Sequence, residues 1–204
     1  MALCPRTNPI ARQIFRSIFN RLYHLFYYFY WFTYKITNMM VSRPELFSEA
    51  KKYLTGHQSD LVNDVEIILG RLKVNDNISD FSFLVSPIAK SYEGYLKDFF
   101  LKIGIISNQE YESDHFRVGK TLNPSLRYKR FSVYQKLSDY DDKGEELAEI
   151  LWDAWKFGRN EIFHYFPNNY KNLSRNEAED RINLLLRAII QAGNFLDNNK
   201  KQSF

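Results

Sequence analysis

Residues 174–198 constrain the fold more than any other stretch. Ser174-Arg175-Asn176-Glu177 has the form of a capping box, a hydroxyl followed one helical turn later by a carboxylate. Behind it Ile182, Leu185, Leu186, Ile189 and Ile190 recur at intervals of three and four residues, with Phe195 further along the same helix. That period gathers them on one stripe of a helix and would scatter them over both faces of a strand. A long helix with one apolar stripe must bury it against further layers of structure. The rest of the chain offers mainly helices for the purpose.

Pro44-Glu45-Leu46-Phe47 opens a short helix carrying Leu46, Phe47, Ala50 and Leu54, with Gly56 as its stop. Residues 60–73 place Leu61, Val65, Ile68, Leu69 and Leu72 on a common stripe, while Val62, Val65 and Ile67 leave a strand open as the alternative. Ser86-Pro87 reads as a cap and first-turn proline launching a helix over 87–103. Ile88, Tyr92, Tyr95, Phe99 and Ile103 form its apolar face, and Glu93 lies beside that face. Residues 107–122 are polar and poorly periodic, which predicts one long surface loop. Asn123-Pro124 predicts a further helix with Leu126, Phe131, Tyr134 and Leu137, and Leu147, Ile150, Leu151, Ala154 and Trp155 predict another that reaches Phe157-Gly158. Pro167-Asn168-Asn169 breaks the chain before the last helix. The expected architecture is an all-α helical bundle with one long loop, a domain over 41–198 and a tail over 199–204.

The front of the chain differs in composition. Many of the 17 Phe and 14 Tyr fall within residues 1–40, where Arg12, Arg16 and Arg21 precede an uncharged aromatic run over 22–34. The run is shorter than the ~20 apolar residues a spanning helix needs. Residues 12–35 therefore predict an extra aromatic-rich helix with three readings: an interfacial anchor, a signal-like segment without a small-residue cleavage site, or translated sequence upstream of a start at Met39 or Met40. The abrupt change of composition at Met39-Met40 favours the last, so membrane contact is not the favoured reading. Cys4 is the single cysteine, which leaves no intrachain disulfide and fits a cytoplasmic protein. A net charge of +4 and a pI near 9.0 are compatible with an anionic partner without requiring one. His57 and His115 have no companions at metal-ligand spacing, so neither a metal site nor a cofactor is expected.

Gly158-Arg159-Asn160-Glu161-Ile162-Phe163-His164 is the motif that carries chemistry. An arginine, a polar residue directly after it, and a histidine within four to six intervening positions, at the end of a long amphipathic helix with another long helix following, resemble the HEPN ribonucleases. More narrowly, the domain is similar to the catalytic HEPN domain of RNase LS-type toxins. The resemblance implies a homodimer, RNA as substrate, an antitoxin or inhibitor protein as partner, and a role in toxin-antitoxin or antiphage defence. It also implies a glutamate on an earlier helix, for which Glu93 in Tyr92-Glu93-Gly94-Tyr95 is the candidate. Those toxins carry additional N-terminal domains, and here the aromatic-rich segment stands in that place.

The residue types suit metal-independent RNA cleavage. Attack of a ribose 2′-hydroxyl on the neighbouring phosphate needs a group to take one proton and a group to give one, and an imidazole near neutrality can do either. Charge growing on the phosphorane oxygens is met by a forked guanidinium such as Arg159, and Asn160 can hold the phosphate or ribose. On a regular helix Arg159 and His164 would stand about 140° apart, since five residues turn by 500°. Either the helix distorts near Gly158 or after His164, or two copies share the site. Glu93 has two expected roles, orienting His164 or holding Arg159. Arg127, Lys129 and Arg130 are candidates for tracking an RNA backbone, and a solvated helix face explains them equally well. Trp152 and Trp155 fit core or dimer-face anchors better than base-stacking platforms. The rival class is a non-catalytic HEPN-like module that binds a partner protein or a nucleotide.

Overall fold

The computed structural model describes residues 43–73, 77–164 and 167–202, and every described element is helical or irregular. The predicted N-terminal helix lies outside the described residues. The all-α expectation is met, and the strand alternative for residues 62–67 is not, because Val62, Val65 and Leu69 are buried along one face of a helix.

The bundle is built around three longer helices. α1 (Arg43–Lys51) and α2 (Gly56–Arg71) lead into α3 (Ser82–Lys102), and α8 (Arg175–Gln202) closes the chain. α3 packs against both α2 and α8, and α1 lies on α8. The stripe on α8 is buried as expected, with Ile182, Leu185, Leu186 and Ile189 essentially without exposure. Ser174 and Glu177 form the expected capping box, Ser174 Oγ donating to Glu177 at 2.6 Å and the Ser174 N–H donating at 2.9 Å. Next to the cap, Arg175 donates to the Leu69 and Leu72 carbonyls and pairs with buried Glu179 at 3.0 Å. One guanidinium thus satisfies the frayed carbonyl end of α2 while holding the start of α8 against it.

Several boundaries differ from the expectation. Gly56 begins α2 instead of stopping α1, since Thr55 and Gln58 supply a capping box at that point. α3 starts at Ser82, leaving Pro87 inside the helix. Burial of Phe81, Leu84 and Val85 outweighs the loss of one backbone donor at the proline. Asp80 secures this early start, accepting from the Ser82 N–H and hydroxyl, from the Leu173 N–H and from the Asn169 amide. Burial pushes against ionisation there, yet these hydrogen bonds hold the Asp80 carboxyl below the usual range.

The expected long loop over 107–122 is partly helical. It contains α4 (Asn108–Glu112) and α5 (Val118–Thr121), and Phe116, Val118 and Leu122 enter the core. Sparse apolar residues, each separately buried, leave no periodic trace in the sequence. The expected helix from Asn123 divides into a 3-10 turn (Pro124–Leu126) and α6 (Val133–Ser138), which packs on α7 (Gly144–Asp153). α8 also continues to Gln202, into residues expected to be a tail, and Asn199 reaches Asp141 at 3.1 Å.

Candidate functional site

α7 does not end in a regular turn. From Ala154 to Asn160 the backbone widens into a π-helix, and the Glu161 N–H bonds back five positions to the Lys156 carbonyl at 3.2 Å. Residues 161–164 then form a turn and bend. Of the alternatives left open by the sequence, a distortion at Gly158 is therefore present, and two local features accompany it. Tyr92 on α3, fully buried, donates from its hydroxyl to the Leu151 carbonyl at 2.9 Å, immediately before the widening. A side chain inserted at such a carbonyl competes with the helical ladder. Gly158, meanwhile, lies against α8 so closely that a Cβ would come within 2.6 Å of Leu185 Cγ. Short π segments of this kind recur at functional sites.

The widened turn carries Arg159 toward α3. Its guanidinium stands 3.6 Å from Glu93 Oε2, and both side chains are about one-third exposed. It also lies over two aromatic rings, 4.9 Å from the Trp155 centroid and 5.0 Å from that of Phe163. Partly exposed ion pairs contribute at most about 1 kcal/mol, and exposed cation-π contacts about as little. What these contacts supply is a fixed direction for the guanidinium. Of the two roles expected for Glu93, the geometry selects holding Arg159; no bond between Glu93 and His164 is present among the described residues. The turn behind Arg159 is pinned separately, by Glu161 to Arg181 at 3.5 Å and to Lys171 at 3.7 Å.

Arg159 and Glu93 open on a groove of about 370 Å³ lined by Leu61 of α2, by Ser86, Pro87, Ala89 and Lys90 of α3, and by Phe163. Asn160 is half-buried and His164 is exposed, and neither lines that groove. The structure thus unites two of the four expected catalytic residues in one cleft, and leaves Asn160 at the end of the π segment and His164 on the turn after it. Arg127, Lys129 and Arg130 are exposed elsewhere and do not line the groove. Arg127 is engaged within the fold, pairing with Glu145 at 3.2 Å and donating to Gln135 at 2.8 Å. Lys129 lies over the Tyr128 ring. Trp155 is buried, with its indole nitrogen edge packed close on Gly119, and Trp152 is half-buried against the core, as anchors would be.

Two features were not read from the sequence. Lys90 and Phe163 border the groove, and their signal was faint: Lys90 sits one turn before Glu93, and Phe163 lies inside the motif. The second is Asp153, whose carboxyl burial lifts to about 6, against the charge of Lys156 and with help from Glu149. Nothing in a lone aspartate near a helix end signals burial. Because the native state resists ionising this group, its contribution is most favourable below about pH 4 and is lost as the pH rises through 6. Asp153→Asn is expected to stabilise the protein by about 2 kcal/mol at pH 7, after allowance for partial solvent screening. Thermal melts should show the gap to wild type widening between pH 4 and pH 7 and constant above. An equal gap at both ends would show that the Asp153 charge is not the cause.

The fold and cleft together define an all-α bundle with a cationic, aromatic-edged groove. No protein-family model, curated protein or solved structure matches the chain. Among the described residues no group of His, Cys, Asp or Glu side chains is arranged to hold a metal ion, and no helix is long and apolar enough to cross a membrane.

Proposed function

We propose that this protein is a metal-independent endoribonuclease of the HEPN class, similar to the RNase LS-type toxins and acting in the cytoplasm in toxin-antitoxin or antiphage defence. The observation that carries the reading is the Arg159–Glu93 pair at 3.6 Å, formed where α7 gives way and followed by an exposed imidazole on the next turn. In this reading the ribose 2′-oxygen attacks the adjacent phosphorus while an imidazole takes its proton. The bond from phosphorus to the 5′-oxygen breaks, and the departing oxygen takes a proton from an imidazolium. Arg159 neutralises the non-bridging oxygens, Glu93 positions Arg159, and Asn160 holds the ribose or phosphate. A homodimer supplies a histidine for each proton transfer, and an inhibitor protein restrains the enzyme until it is needed.

The products are a 2′,3′-cyclic phosphate and a 5′-hydroxyl. Incubating wild-type protein with RNA in EDTA and mapping both ends is expected to give that pair. Cleavage only on addition of a divalent ion, or ends carrying a 5′-phosphate, would remove the mechanism.

One observation favours the rival reading of a non-catalytic module binding a partner protein or a nucleotide: His164 stands outside the groove that Arg159 enters. Expression of wild-type protein without any inhibitor separates the two. Intact cellular RNA and normal growth favour the module, and RNA cleavage favours the enzyme.

A further inference from the structure

We propose that the groove between α2 and α3 is a single-nucleotide subsite of an unpaired RNA strand, with Phe163 as the stacking platform for one base and Lys90 as a contact for the phosphate beside it. The proposal rests on the ribonuclease reading for the identity of the strand and is argued from the groove itself. Ser86, Ala89, Lys90 and Glu93 share one face of α3, and Pro87 stands at its edge. That face combines an apolar floor with a cation at the edge. Leu61 and Pro87 extend the floor, and Phe163, 49% exposed despite its size, forms the opposite rim.

Charge identifies the occupant. The groove's charged lining is Lys90 and Arg159 against Glu93 alone, an excess of one cation, which suits an anionic ligand with a flat apolar part. An apolar peptide would leave Lys90 and the Arg159–Glu93 pair to be covered without compensation. A nucleotide meets each element: a base has a π-face for the exposed ring, and its phosphate carries the charge. The volume of about 370 Å³ lies at the small end of ligand-sized pockets. It holds one nucleotide and excludes a duplex, whose bases are stacked and unavailable. Arg159 lies over one face of the same ring at 5.0 Å, so a base stacks on the other face, with Phe163 between it and the guanidinium.

The test uses the full chain and a fluorescein-labelled 2′-O-methyl oligonucleotide of mixed sequence, single-stranded or annealed to its complement. With the 2′-hydroxyl blocked, binding is read apart from cleavage. Wild type is expected to prefer the single strand. Phe163→Ala is expected to bind about tenfold more weakly, and Phe163→Trp to restore binding. Lys90→Ala is expected to lower the slope of log affinity against log salt by about 0.7, the signature of one lost phosphate contact on a single strand. Thermal melts of the variants check that they fold. Equal binding by wild type and Phe163→Ala, an unchanged salt slope in Lys90→Ala, or no binding of the strand by folded wild type would each overturn the subsite. The two readings fail separately: a strand bound through Phe163 while unmodified RNA stays intact removes the ribonuclease, and RNA cleaved as fast by Phe163→Ala as by wild type removes the subsite.

Discussion

His164→Ala is expected to lower the rate of RNA cleavage by about 10²–10⁴, the usual contribution of a positioned general acid or base. The fold should be untouched, because His164 is exposed and on a turn. Melting temperatures of wild type and variant should coincide, so that lost activity is chemical. Arg159→Lys gives the companion result. Lysine retains the charge but has neither the forked donors nor the planar face that lies over Trp155 and Phe163. A loss of about 10²–10³ is expected, in the range of a removed transition-state donor. Glu93→Gln leaves the shape and removes the charge facing Arg159, so its effect should be smaller than either. If His164→Ala cleaves at the wild-type rate, the proton transfers belong to other groups and the proposed centre is wrong.

Gly144→Ala is expected to have the largest effect on stability. Gly144 is buried at the start of α7, and a Cβ there would run into the Leu137 backbone carbonyl, with the Ser138 carbonyl only 3.2 Å away. A side chain in the way can rotate aside. A carbonyl at the end of α6 moves only if the two helices separate, and α7 is the helix that runs on into the π segment. Overpacking of this kind costs about 3 kcal/mol, which lowers the melting temperature of a domain this size by roughly 6–12 °C. Urea titration gives the same quantity independently. A melting temperature within a degree of wild type would mean that α6 and α7 are less closely packed than the structure has them.

The helices were legible where apolar residues kept one period over several turns, although Ile68, expected on the α2 stripe, is exposed and Val62 is buried in its stead. Ile88, Tyr92, Tyr95 and Phe99 on α3, and the stripe on α8, are buried as their spacing requires, since a single face per helix can meet the core. Local punctuation misled where burial overruled it. Pro87 marks a boundary by its missing N–H, but Phe81, Leu84 and Val85 had a core to enter, and the helix extended to admit them. Between α3 and α6 the buried residues are too scattered to form a period, so Phe116, Val118 and Leu122 reveal their place only when their neighbours are present.

At the candidate site the division is similar. Motif chemistry and the incompatibility of Arg159 and His164 with a regular helix both follow from residue order, because helical geometry is local. That order alone determined an all-α chain, apolar faces on its longest helices, and a cationic and an imidazole side chain close together near a helix end. Tertiary structure alone decided that Glu93 meets Arg159, that Lys90 and Phe163 border the same groove, that Arg127 is engaged by Glu145, and that Asp153 is half-buried. Each of these depends on the distance between segments remote in the chain. Such distances are set by how whole helices pack, which no stretch of one helix encodes by itself.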